Sequence, residues 1–231
     1  MEIKIIENVL KLNDEVAQQN RHQLREAGVT CINLIGSPGS GKTALLERTL
    51  EMLGSDLAVG VLAGDMATTR DANRLAAFTP HVVQINVGKS CHLDANQVRQ
   101  GMNSLDLTAL DLLIIENVGN LICPVGFDLG QDVKVGMFSA TEGDDKPAKH
   151  PYLVLEAGLL LLNKIDLLPH VPFDVTRFRE DVGSIREGIP LIELSAVTGD
   201  GLDVWCTWLR RLCNERPSTD KQPCCEPGAV L

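Results

Sequence analysis

The sequence predicts an α/β fold, a doubly wound, mostly parallel sheet with helices on both faces. Three observations predict it. Short apolar or β-branched runs alternate with segments of helical period along most of the chain. Several runs, Leu112–Ile115 and Gly158–Leu162 among them, have no polar face, as strands covered on both sides require. The first run leads straight into a glycine-rich loop and then a helix.

Residues 1–28 carry Ile3, Ile6, Val9, Leu10, Val16 and Leu24 at helical spacing, and Gly28 supplies a stop. They are expected as an N-terminal helical segment packed on the core. Val29–Ile35 is the first strand, and a helix follows from about Lys42. Leu57–Ala63, Val82–Val87, Leu112–Ile115, Gly158–Leu162 and Ile189–Ser195 are further strands, with helices over Asp71–Phe78 and Leu93–Met102. Gly126–Pro151 reads as loop-rich. Residues 29–213 form one domain on this reading. Residues 214–231, rich in Pro and Cys and without periodicity, are expected as a disordered tail, and Cys213, Cys224 and Cys225 read as unpaired tail thiols, with a second soft metal site as the alternative.

The length of 231 residues suits a single domain. The net charge of -10, with no Lys/Arg-rich run, argues against a nucleic-acid backbone or an anionic membrane as partner. The N-terminus lacks an apolar signal core, and the runs without a polar side chain, Ala157–Leu162 among them, are too short to span a bilayer. A cytoplasmic location is therefore expected, with the 7 cysteines reduced.

Gly36-Ser37-Pro38-Gly39-Ser40-Gly41-Lys42-Thr43 fits the phosphate-binding loop pattern in its required context, between a strand and a helix. Gly36, Gly39, Ser40 and Gly41 let backbone N–H groups converge on phosphate oxygens. Lys42 is expected at the β/γ-phosphates as a catalytic group, and the Thr43 hydroxyl on Mg²⁺. The fold class is thus that of a P-loop NTPase. Asn163-Lys164-Ile165-Asp166 follows a later strand. A carboxylate at Asp166 can accept from guanine N1–H and its 2-amino group, a pair adenine lacks. Asn163 can bond N7 or the loop backbone, and the Lys164 stem can lie over the base. Ser195-Ala196 then offers a backbone N–H to guanine O6, so GTP is expected rather than ATP.

Glu116, at the end of the Leu112–Ile115 strand with Gly119 three residues on, resembles a D-x-x-G element with Glu for Asp. Glu116 and Asp65 are candidates to hold Mg²⁺ or position the attacking water, and Asp71 to hold Mg²⁺, unless they simply cap helices. Cys91-His92 offers soft and borderline donors suited to Zn²⁺ or Ni²⁺. Placed at a helix N-terminus, Cys91 would have a lowered pKa and supply thiolate. Cys123, four residues past Gly119, would bring a third ligand into the same segment as Glu116. Spacing alone does not make the three converge, and packing thiols are the plainer reading of the pair taken alone.

With these residues assembled, the chain resembles the HypB family, the nickel-incorporation GTPases of nickel-iron hydrogenase maturation, related to UreG. The likeness runs from about Asn8 to Leu212. It rests on Gly36–Thr43, Gly64–Asp71, Cys91–Ala95, Glu116–Pro124, Thr141–Pro147 and Asn163–Asp166. It implies GTP-dependent homodimerisation and a Ni²⁺ or Zn²⁺ site at the dimer interface built from Cys91, His92 and Cys123. It also implies slow hydrolysis to GDP, and nickel delivery to the hydrogenase large-subunit precursor with a HypA-like partner. Many members carry an N-terminal Cys-x-x-Cys motif or a His-rich tract. Residues 1–30 here hold no cysteine and the single histidine His22, so no separate nickel store is expected.

Overall fold

The computed structural model of the protein describes residues 9–65 and 70–215. The expectations for residues 1–8, for Met66–Thr69 and for the tail beyond residue 215, with Cys224 and Cys225, lie outside the described residues. Helix α1 (Val9–Ala27) turns Asn13, Ala17, Asn20 and Leu24 to one buried face, at the three-to-four-residue spacing a helix dictates. Gly28 ends it at φ 76°, a left-handed conformation that glycine adopts without a Cβ clash. The chain continues through β1 (Thr30–Gly36), α2 (Lys42–Leu53), β2 (Val59–Asp65), α3 (Arg70–Leu75), β3 (Val82–Asn86), α4 (Ala95–Met102) and β4 (Leu112–Glu116). Then come β5 (Val133–Ser139), α5 (Lys146–Lys149), α6 (Pro151–Glu156), β6 (Leu159–Asn163), α7 (Val175–Ile185), β7 (Leu191–Glu193) and α8 (Leu202–Asn214).

The strands form a 7-stranded sheet in the order β3-β2-β4-β1-β5-β6-β7, every pair parallel. Period-two alternation sends successive side chains to opposite faces. Ile32, Leu34, Ile114, Met137 and Leu161 pack beneath α2 and α8. On the other face, Cys31, Leu62 and Leu113 meet Leu24 of α1 and Val98 and Met102 of α4. Ile35, Phe138 and Leu160 meet Leu153 of α6 and Phe178 of α7. The doubly wound sheet is the one the alternation predicts.

The loop-rich reading of Gly126–Pro151 is wrong over β5, which lies between β1 and β6 in the middle of the sheet. Two residues disguise it. Lys134 reads as surface, yet its half-buried stem carries the ammonium to Val125 O at 2.7 Å. Gly136 reads as a breaker, yet a Cβ there would lie 3.0 Å from Leu153 Cγ of helix α6, which can therefore approach so closely only over glycine. At the C-terminus, α8 reaches Asn214, one residue into the expected tail, and Cys213 packs against the core rather than hanging free in it. Among the described residues, no helix is long and apolar enough to cross a membrane.

Register places the chemistry. Leu34 pairs with Glu116, Ala63 with Glu116, Gly36 with Met137 and Ser139 with Asn163. From β1 the chain winds outward to β3, returns through β4, and then crosses to β5. The crevice beyond the C-terminal ends of β1 and β4 is where such sheets bind ligands.

Candidate nucleotide and metal site

The loop after β1 curls tightly because its glycines let it. A Cβ on Gly36 would lie 2.9 Å from Met137 O, and one on Gly41, at φ 97°, would lie 2.5 Å from Asn163 Nδ2. Lys42 is buried, and its Nζ donates to Gly36 O and Ser37 O at 3.1 Å each. Burial pushes the Lys42 pKa down, and the charge of Glu116 pulls it partly back. The ammonium thus rests on carbonyls of the loop itself, for which a phosphate would compete.

The Thr43 hydroxyl donates to Glu116 Oε1 at 2.7 Å, while Oε2 is buried with no hydrogen-bond partner among the described residues. Burial raises the Glu116 pKa, opposed by the Thr43 bond and the Lys42 charge. An orphaned carboxylate oxygen beside the loop hydroxyl suits an oxygen-liganded cation, so these residues fit Mg²⁺. Asp65, from the end of β2, and Asp71, from α3, line the same cavity of about 560 Å³ with Lys42, Thr43, Glu116 and Gly119. Arg74, which the sequence reading passed over, also lines it. It lies 3.4 Å from the Asp71 carboxylate and clasps Glu47 through two bonds of 2.7 Å.

The residues expected to read guanine assemble beside the loop. Asn163 takes the loop-backbone role: its Nδ2 donates to Ser40 O at 2.8 Å, and its Oδ1 accepts from Ala196 N at 3.2 Å. Lys164 sits at φ 62°, the one left-handed non-glycine among the described residues, and its Nζ reaches Gly39 O at 2.6 Å. Such strain is found where a side chain must be aimed. Ser195 Oγ donates to Asp166 Oδ1 at 2.6 Å, holding the carboxylate in orientation. The cavity wall reaches Lys164 but not Asp166, so the enclosed volume lies on the Gly36–Thr43 loop side.

Cys91, His92 and Cys123 do converge. Their ligand atoms all lie within 4.8 Å of one another, the one such cluster of three among the described residues. Two thiols and an imidazole suit Zn²⁺ or Ni²⁺ and leave room for further donors. The Cys91 thiol does not sit on a helix N-terminus. Helix α4 begins at Ala95 with Asp94 as its cap, and the Asp94 and Gln97 side chains bond each other's backbone N–H. The Cys91 pKa is raised, first by the hydrogen bond with Cys123 and then by burial, so a metal would have to displace its proton. Burial lowers the His92 pKa, opposed by Asp94, and this favours the neutral, ligating imidazole. The Phe127 ring lies against the imidazole, with centroids 3.9 Å apart.

Helix α1 braces both walls of this cluster. Asn13 Oδ1 accepts from Ala95 N at 2.9 Å, and Asn20 Nδ2 donates to Ala95 O at 2.8 Å and to Leu129 O at 3.0 Å. Arg21 pairs with Asp128 at 2.8 Å, beside Phe127. The sequence reading missed these residues, and it missed Asn117. Buried at the end of β4, Asn117 accepts from Leu93 N at 3.2 Å and donates to Asn33 Oδ1 at 3.1 Å. The available signal was a polar residue, Asn33, in an otherwise apolar strand.

The CobW/HypB/UreG nucleotide-binding domain model matches residues 30–193. Hydrogenase maturation factor HypB of Azotobacter vinelandii is 45% identical over 209 residues, covering 90% of this chain and 69% of that protein. The crystal structure of hydrogenase maturation factor HypB from Archaeoglobus fulgidus superposes with a TM-score of 0.84 at 41% identity, covering 89% of this chain and 100% of that one. HypB from Helicobacter pylori, solved in complex with nickel, superposes with a TM-score of 0.85 at 32% identity, covering 88% and 96%. The chain belongs to the CobW/HypB/UreG nucleotide-binding family and, within it, to the HypB hydrogenase maturation factors.

Proposed function

We propose that the protein is a GTP-hydrolysing nickel metallochaperone. As a nucleotide-dependent homodimer, it gates nickel insertion into the nickel-iron hydrogenase large-subunit precursor. One observation carries this reading: a single short segment serves both sites. At one end Glu116 touches Thr43 of the phosphate loop, and at the other Cys123 joins Cys91 and His92. A change in what Glu116 contacts therefore has a direct mechanical route to a metal-ligating thiol.

Asp166, fixed by Ser195, selects guanine, with Asn163 shaping the loop and Lys164 flanking the base. Lys42 leaves the loop carbonyls for the phosphates and neutralises charge there, which is the main catalytic demand of phosphoryl transfer. Mg²⁺ would be held by Thr43 and Glu116, with Asp65 and Asp71 on the same wall, and would supply charge neutralisation at the phosphates. Glu116 and Asp65 are the carboxylates placed to orient the attacking water. Nickel is cargo, taken by Cys91, His92 and Cys123; zinc suits the same donors. A HypA-like chaperone would hand the metal over. Neither a nucleic acid nor a membrane enters this reading, and the setting is the cytoplasm.

The test is Ni²⁺ and Zn²⁺ binding stoichiometry with sedimentation, in GDP and in a non-hydrolysable GTP analogue. Metal binding and dimerisation that both follow the nucleotide, and metal binding lost in Cys91→Ala and Cys123→Ala, support the reading. Equal metal binding with either nucleotide, surviving both substitutions, would sink it.

A further inference from the structure

We infer that Asn120 is the residue that transmits nucleotide state to the metal cluster, a positioning residue that joins the phosphate loop to both ligand-bearing segments. The inference rests on the nucleotide-gated reading above and names the part that does the gating.

The backbone N–H of Asn120 donates to Gly36 O at 3.0 Å, and Gly36 is the first residue of the phosphate loop. Its neighbour Gly119 is pressed against the same loop: a Cβ there would lie 2.9 Å from both Pro38 Cα and Pro38 N. The segment therefore cannot shift relative to the loop without breaking a backbone bond or opening that contact. From this anchored position the Asn120 side chain divides its two functions between the two metal-bearing segments. Oδ1 accepts from Ile122 N at 2.8 Å, fixing the turn that presents Cys123. Nδ2 reaches Cys91 O at 3.5 Å, on the other side of the cluster.

Gly36 O is also one of the two carbonyls on which the Lys42 ammonium rests. A phosphate that draws Lys42 away changes the charge felt by that carbonyl, and the Asn120 N–H is its other partner. The path from γ-phosphate to thiol is thus Lys42, Gly36 O, Asn120, and then both Cys91 and Cys123. The bond to Cys91 O lies at the long edge of hydrogen-bonding distance, so it is the contact in this path with room to tighten. Asn117 fastens Leu93 to the same segment but has no contact with the phosphate loop in its side-chain bonds. It steadies the cluster without reporting on the nucleotide.

The experiment measures coupling rather than affinity. Ni²⁺ dissociation constants are obtained by chelator competition with the protein loaded with GDP and with the non-hydrolysable GTP analogue. The ratio of the two is compared among wild type, Asn120→Ala and Asn120→Asp. By linkage the same ratio must appear when nucleotide affinity is measured with and without Ni²⁺. A wild-type ratio in the usual range of about 5–150 is expected to fall toward one in both variants, while each still binds Ni²⁺ and both nucleotides. A purely structural role would weaken binding in both nucleotide states alike and leave the ratio intact, and that result would overturn the inference. Asn120→Asp keeps the acceptor for Ile122 N and sets a carboxylate oxygen, which cannot donate, against Cys91 O. Its added charge acts in both nucleotide states alike, so the ratio still decides the matter if the alanine variant fails to fold. A wild-type ratio of one removes the nucleotide-gated reading itself, and the inference with it.

Discussion

Thr43 Oγ1 and Glu116 Oε1 lie 2.7 Å apart, joining the start of α2 to the end of β4 across the mouth of the phosphate cavity. The bond spans 73 residues of sequence and leaves the second Glu116 oxygen without a donor among the described residues. That pairing makes Thr43 and Glu116 the natural point at which to break catalysis.

Removal of either partner should cripple hydrolysis. Thr43→Ala and Glu116→Gln are each expected to lower GTP turnover by about 10²-fold or more, the scale for losing one preorganised charge-stabilising group. Lys42→Ala should abolish it. Phosphate release under single-turnover conditions is the measurement, and near-normal turnover in Glu116→Gln would remove Glu116 from the catalytic set.

The same carboxylate should be a burden on the nucleotide-free protein. Its folded pKa is raised by burial above the unfolded value of 4.5, so the fold retains this proton to higher pH than the unfolded chain does. The unfolded state then binds fewer protons in that window, and stability falls as pH rises from about 4.5 through the raised value. Glu116→Gln should therefore melt higher than wild type at neutral pH without nucleotide, by about 2–4 °C for each kcal/mol relieved. The difference should shrink as pH drops toward 4.5. Calorimetric melts across pH decide it, and a lower melting temperature for the variant at neutral pH would contradict the account.

Guanine selection should move with Asp166. Asp166→Asn loses a charged acceptor for two donors and is expected to weaken GTP binding about 10–100-fold. The new amide N–H can instead donate to the 2-oxo group of xanthine, so affinity for XTP should rise. Competition binding of GTP, ATP and XTP reads this, and unchanged preference for GTP would remove Asp166 from the base site.

Phe127 tests how the imidazole is held. Phe127→Ala frees the ring it packs against and should weaken Ni²⁺ binding by about tenfold, the low end for lost support of a metal ligand. Cys123→Ser, which deletes a ligand outright, should cost far more. Equal affinities for Phe127→Ala and wild type would show that His92 needs no such support.

Much of the fold was legible because its signals were local. The phosphate loop, the guanine loop and the apolar strands each announce themselves within a few residues. Strand β5 did not, because Lys134 and Gly136 are explained only by neighbours on β6 and α6 and by Val125 O. The metal triad was legible as residue types, but its convergence depends on the loop before α4 meeting the segment after β4, a tertiary fact. The Cys91 environment was misread for a related reason. The helix N-terminus it was assigned to belongs to Asp94, and the Cys123 thiol across the cluster, with burial second, raises its pKa.

Asn13, Asn20 and Arg21 of α1 meet partners 75 to 115 residues further along the chain. During synthesis at roughly 5–20 residues per second, that helix waits on the order of ten seconds for Ala95, Asp128 and Leu129 to appear. Until then its polar face has nothing to bond, and the two walls of the thiol cluster cannot be drawn together. The phosphate loop waits as well, since Thr43 needs Glu116, Gly36 O needs the Asn120 N–H, and Ser40 O needs the Asn163 amide. Neither the loop nor the thiol cluster can therefore take its final geometry until most of the sheet has been made, and the two are completed late and close together.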